Sequence, residues 1–139
     1  MTIDDFDEVH RLWDKTEGVG LNESDSNPKI RAYLKRNPGM SFVARRGTEI
    51  VGAVLCGHDG RRGYLQHLTV AKMHRRNGIG RDLVAACFSK LAETGILKCN
   101  IFVYADNGEG KLFWKHQGWV ERKDLLLMQK AVMPSNKSS

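Results

Sequence analysis

Over residues 4–15 the apolar side chains Phe6, Val9, Leu12 and Trp13 recur every three or four positions. That spacing predicts an amphipathic helix, with Asp5 and Glu8 as a capping pair at its start. Residues 16–25 are polar, contain Gly18 and Gly20, and read as a loop. Asn27-Pro28 then supplies a cap and a proline at the first helical position, Ile30, Tyr33 and Leu34 form an apolar stripe, and Asn37-Pro38-Gly39 ends the helix. From residue 41 the period changes to two. Strands are expected at 41–45, 49–56 and 64–70, joined by Gly-containing turns at 46–48 and 57–63, which makes an antiparallel meander. A long helix follows from Gly78, marked by Ile79, Leu83, Val84, Cys87, Phe88 and Leu91 and closed by Gly95. Further on come a strand at 98–104, a helix capped by Asp106-Asn107 and ending at Gly118, and a final strand at 125–132. A strand, a long helix and another strand in succession imply a right-handed crossover to a parallel neighbour. The expected fold class is α/β (α+β), with a mixed, mostly antiparallel central sheet flanked by helices. Residues 1–133 form one domain, and 134–139 a frayed tail.

The chain has 139 residues, of which 41% are hydrophobic and 27% charged, so a single core and a globular domain are expected rather than disorder. No run of ~18 apolar residues is present, and the first residues are acidic where a signal peptide would be basic. Cys56, Cys87 and Cys99 are odd in number and form no CxxC pair, which argues against a disulfide framework and for a reducing compartment. The expected location is the cytoplasm. Lys and Arg exceed Asp and Glu by 22 to 16, a net +6, and the excess favours anionic partners. Four of those positive charges lie within 72–81 without one acidic residue, and Arg61-Arg62 forms a second cluster.

The first of these clusters carries chemistry. Arg75-Arg76-Asn77-Gly78-Ile79-Gly80 stands between a predicted strand and the start of the long helix. Amides in a first helical turn have no intrahelical partner, the helix dipole favours negative charge there, and glycine lets backbone approach a phosphate closely. Turn and packing roles would equally explain Gly78 and Gly80. A Walker loop is excluded, because Gly110-Lys111 is followed by Leu112, and no third glycine completes a GxGxxG fingerprint after Gly80.

These residues resemble the R/Q-x-x-G-x-G/A signature of the GNAT superfamily of acyl-CoA-dependent N-acetyltransferases. Downstream, Ala105-Asp106-Asn107 and then Phe113-Trp114-Lys115-His116-Gln117-Gly118-Trp119 resemble the family's second conserved element, in the right order and at the right separation. The resemblance implies a GNAT-like fold and acetyl-CoA, or coenzyme A, as cosubstrate. It implies that Arg75, Arg76, Asn77, Gly78, Ile79, Gly80 and Arg81 hold the pyrophosphate. It also implies that the preceding strand carries a bulge and splays from its parallel neighbour, so that pantetheine pairs with Leu68, Thr69 and Val70. The amide that polarises the thioester carbonyl falls at Leu68, and Asn107 falls near the pantetheine arm, where a plain N-cap is the other role open to it.

The sequence departs from that family in two places. It begins almost at the first helix, where the family usually has a strand. Trp114 occupies the position that often holds a thiolate-protonating tyrosine, and Tyr104 is the nearest tyrosine by sequence. The implied reaction moves acetyl from acetyl-CoA directly to a primary amine of a small molecule, peptide or protein. The alternatives are an acyl-CoA-binding sensor without turnover and, with less support, a basic nucleic-acid-binding module. No catalytic residue is assigned. An amine must lose a proton to attack, and Glu17, Glu23, Tyr64 or water are candidates to accept it, with solvated roles open to both glutamates. His67 is expected to face away from Tyr64, Gln66 and Leu68 in a structural role. His and Cys show no metal-ligand spacing, so no metal is expected. The amine acceptor is unidentified, no membrane partner is expected, and homodimerisation is left open.

Overall fold

The computed structural model describes residues 1–133; the tail expected to be frayed, 134–139, lies outside the described residues. The element order is α1 (Phe6–Asp14), α2 (Asn27–Arg36), β1 (Phe42–Arg46), β2 (Glu49–His58), β3 (Gly63–Val70), α3 (Ile79–Glu93), β4 (Cys99–Ile101) and α4 (Gly108–His116). Among the described residues no strand precedes α1. The four strands lie in the order β1-β2-β3-β4. The β1–β2 and β2–β3 pairs are antiparallel, and β3–β4 is parallel, with α3 as the crossover.

Alternation along β2, shifted once by a bulge at Val51, divides the interior in two. Ile50, Ala53 and Leu55 face α1 and α2, where they pack with Phe6, Val9, Leu12, Trp13 and Ile30. Val54 and Cys56 face α3, with Leu65, Leu83, Val84, Cys87 and Leu91. The acidic residues expected to cap α1 do other work. The Thr2 amide donates to the Asp5 carboxylate at 2.9 Å, Arg45 of β1 pairs with Asp5, and the Ile50 amide donates to Glu8 at 2.7 Å. Both carboxylates therefore fasten the helix start and the sheet together, an outcome local patterning does not register.

Two expectations need correction. The strand expected at 98–104 shortens to Cys99–Ile101, because its parallel pairing covers only Gly63↔Cys99, Tyr64↔Asn100 and Leu65↔Ile101. The strand expected at 125–132 does not form. Leu125, Leu126, Leu127 and Met128 are exposed in irregular backbone. The three paired residues of β4 offer too short an edge for the expected strand to join.

The β3 strand contains the irregularity that shapes the site. Its register against β2 runs Ala53↔Thr69 and then Leu55↔Gln66, so Val54 faces two residues, His67 and Leu68. This is a β-bulge, and His67 takes φ +53° within it, a left-handed backbone uncommon for a residue with a side chain.

Candidate active site

Past Leu65 and Ile101 the two parallel strands separate. β3 continues through 66–70, while residues 102–104 leave the sheet. The gap becomes a groove of about 570 Å³. Leu65, Gln66, His67 and Leu68 form one wall and Ile101, Phe102, Val103 and Tyr104 the other. Residues 16–20 of the α1–α2 loop and Asn107, Phe113 and Trp114 of the α4 region complete it. Along the gap β3 has no strand partner on its β4 edge, so the backbone groups on that edge are open to an extended ligand. The loop lies close over the far wall: a Cβ on Gly20 would overlap the Tyr104 hydroxyl.

At the start of α3 the backbone is arranged for an anion. Arg76 at φ +65° and Gly78 at φ +79° turn the chain into the helix. The first backbone amide in the helix with an acceptor is Asp82, bonded to the Gly78 carbonyl at 3.0 Å. The amides from Arg76 to Arg81 have no acceptor among the described residues. The Arg75 guanidinium turns back, its Nε donating to the Val70 carbonyl at 3.0 Å, and Arg81 is exposed with Asp82 3.6 Å away. Open amides, a helix dipole and arginines around them suit a phosphate. The two glycines differ in role. Gly78 is required by its positive φ, whereas a Cβ on Gly80 would lie 3.3 Å from the Phe113 ring and 3.7 Å from Val70. Gly80 thus allows α3 to meet α4, and Phe113, which also lines the groove, joins the anion cradle to it.

The residues singled out from the sequence are distributed as follows. Leu68 lines the groove, while Thr69 and Val70 do not. The Thr69 side chain is buried and its hydroxyl donates to the His67 carbonyl at 2.9 Å; the Val70 carbonyl is occupied by Arg75. Asn107 holds both expected roles, lining the groove and capping α4 by accepting from the Gly110 amide at 3.0 Å. Trp114 lines the groove and packs edge-on against Phe113 and Trp119, with ring centroids 5.1 and 5.0 Å apart. Glu17 lines the groove, but Glu23 sits outside it on an exposed turn. Tyr64 is absent from the groove wall. Its ring stacks on Phe102 at 6.3 Å, and it lines a separate pocket of about 190 Å³ with Tyr33, Asn37, Asp59 and Gln66.

His67 does not face where simple alternation puts it. The extra bulge residue shifts the alternation, so His67 points to the α1–α2 side, its ring 5.0 Å from that of Trp13 and its Nε2 2.8 Å from Asp25 Oδ1. Asp25 was not visible as a site residue. Its side chain is 8% exposed, lines the groove, and accepts from the Asn22 amide at 3.0 Å. The nearest sequence signal is its place just before the Asn27-Pro28 helix start. Among the described residues no three His, Cys, Asp or Glu side chains come together as a metal site, and no helix is long and apolar enough to cross a membrane.

Comparison with known proteins gives a consistent picture. The profile of the Acetyltransferase (GNAT) family matches residues 6–119. An acetyltransferase of Sodalis glossinidius is 34% identical over 104 residues, covering 75% of this chain and 72% of that protein. An acetyltransferase of Yersinia pestis is 35% identical over the same length, covering 75% and 73%. Among solved structures, Ard1 from Thermoplasma volcanium superposes with a TM-score of 0.76 at 21% identity, covering 86% of this chain and 79% of that one. The PaiA N-acetyltransferase from Thermoplasma acidophilum, in complex with coenzyme A, gives 0.74 at 16% identity and covers 84% of each chain. At these identities the structural likeness establishes the fold alone.

Proposed function

Because the chain belongs to the GNAT family of acetyltransferases, we propose that it transfers acetyl from acetyl-CoA directly to a primary amine. The observation that carries this reading is the splay of β3 from β4, which opens a groove that Phe113 links to the unpaired amides at the start of α3. The residues present fit the cosubstrate. Arg76 to Arg81 would take the pyrophosphate on backbone amides, with Arg75, Arg76 and Arg81 around it. The open edge of β3 would pair with the pantetheine arm. The thioester supplies an activated acetyl carbonyl when bound. In the bulge, Leu68 would donate its amide to that carbonyl oxygen as negative charge develops.

Direct transfer is supported by the thiols. No cysteine lines the groove. Cys56 and Cys87 are buried in the core between β2 and α3, and burial pushes the Cys99 thiol up to about 12, so none of the three offers the groove a thiolate to carry the acetyl group. The test pairs calorimetric binding of coenzyme A with thiol release from acetyl-CoA across a panel of alkyl amines, aminoglycosides and peptide N-termini. Binding together with amine-dependent thiol release is expected. Binding without release from any amine would favour a sensor, which the tryptophan at 114 keeps as the second reading. Salt-sensitive retention on DNA without coenzyme A binding would point to the nucleic-acid alternative.

A further inference from the structure

We infer that His67 is the general base that takes the proton from the acceptor amine, with Asp25 as its positioning residue; this rests on the transferase reading above. The two residues lie 42 positions apart and meet through one hydrogen bond, Nε2 to Oδ1 at 2.8 Å. An ionised carboxylate only accepts, so Nε2 carries the ring proton and the lone pair is left on Nδ1. Nδ1 has no hydrogen-bond partner among the described residues, and it is not among the buried side-chain atoms left without one. The His67 side chain is 17% exposed and lines the groove, which is where the lone pair would meet an acceptor.

The surroundings fit a base held in one orientation. Trp13 packs edge-on against the imidazole from α1, and Asp25 is tied down by the Asn22 amide as well as by the ring. Glu17, on the loop above, is the other carboxylate lining this groove. The bulge places two functions on consecutive residues. Leu68 stands where the thioester carbonyl would be polarised, and His67 turns to the α1–α2 side, from which an acceptor would approach. Without the extra residue His67 would follow Leu65 onto the α3 face, so the left-handed backbone at φ +53° has a use.

The step balances. The acceptor ammonium gives its first proton to Nδ1 before it attacks, and the imidazolium, stabilised by the Asp25 carboxylate, passes that proton to water. As the nitrogen–carbon bond forms and the carbon–sulfur bond breaks, the second proton on nitrogen passes through water to the departing thiolate. A tie that only holds the 16–25 loop to the sheet would show the same 2.8 Å bond, so the test must separate the two roles.

The experiment compares ethylamine with 2,2,2-trifluoroethylamine, whose nitrogen is already neutral near pH 7. With ethylamine, His67→Gln should lose ~10²–10⁴-fold in kcat, the usual worth of general-base help. With trifluoroethylamine the loss should be much smaller, and calorimetric affinity for coenzyme A should be unchanged. Equal losses for both amines, or undiminished ethylamine turnover, would overturn the assignment while leaving the transferase reading in place. A native protein that binds acetyl-CoA and releases no thiol with any amine would remove reaction and base together. Long-range ¹H–¹⁵N correlation spectra of the native protein test the geometry without activity and without a variant. The Nε2–H tautomer is expected for His67, with a shift in that equilibrium and a fall in kcat at constant acetyl-CoA KM in Asp25→Asn. A native Nδ1–H tautomer would overturn the proposal.

Discussion

The open amides at the start of α3 belong to one unbroken segment, Arg75 to Arg81, which meets the groove through Gly80 and Phe113, whereas the groove itself draws Glu17, Asp25, His67 and Tyr104 from separate parts of the chain. The first end works through backbone amides whose direction is set by two positive-φ residues and a helix start. Its side chains could change with little loss so long as the backbone path holds. The second end is built of side chains brought together by a bulge, a loop and a strand end, where a single replacement would remove the proposed proton acceptor. The comparison shows why cosubstrate recognition can be read from a short motif while acceptor chemistry cannot.

The sharpest way to break this contrast is Gly78→Val. A β-branched residue at φ +79° is strained whatever space it has, and it would redirect the amides that follow. Coenzyme A affinity should fall about 100-fold or more, ~2.7 kcal/mol, with the circular dichroism spectrum retained. Calorimetry giving native affinity for a folded variant would show that the amide cradle is not the phosphate site. A smaller and different effect is expected from Gly80→Val, where the added methyls press on Phe113 and Val70. Overpacking of this kind should reduce stability by ~1–3 kcal/mol in urea unfolding, and Phe113→Leu in the same protein should recover part of it. Additive losses would mean that the two side chains do not share the space.

Trp114→Phe probes the acceptor end at lower cost. It trims the edge contacts with Phe113 and Trp119 while keeping an aromatic ring, so stability should drop by about 1 kcal/mol and acetyl transfer should stay within ~10-fold of native. A folded Trp114→Phe protein that binds coenzyme A and releases no thiol would place the indole in the chemistry. Salt should have the mildest effect. Raising ionic strength from about 50 to about 500 mM should weaken coenzyme A binding only a few-fold, because amides supply the central contacts and the exposed arginines are screened. Dephospho-coenzyme A should bind somewhat less tightly than coenzyme A. A steep salt dependence would transfer the main role from backbone to side chains.

Much of the architecture was legible. Apolar spacing located α1, α2 and α3, alternation located β1 to β3, and the strand–helix–strand order implied the parallel β3–β4 pair. The errors share a cause. Local propensity favours a strand at 125–132 and a longer one at 98–104, but a strand forms only where a neighbour offers an edge, and β3 turns away from β4 after Leu65. Local patterning assigns Asp5 and Glu8 to helix capping because their tertiary partners, Arg45 and the Ile50 amide, lie some forty residues away.

What the sequence by itself determined is the part encoded by neighbours: periods of 3.6 and 2, a glycine pair at a helix start, and a basic loop with no acid in it. These act through hydrogen bonds and dipoles spanning a few residues, so their order along the chain is enough to describe them. Only the tertiary structure decided that Gly80 clears a path for Phe113, that Tyr64 belongs to another pocket, and that His67 meets Asp25. Each depends on one extra residue in β3 or on the close approach of two helices. Such events change the direction of a side chain without changing any pattern that precedes or follows it, because a one-residue shift of a pleated strand exchanges its faces.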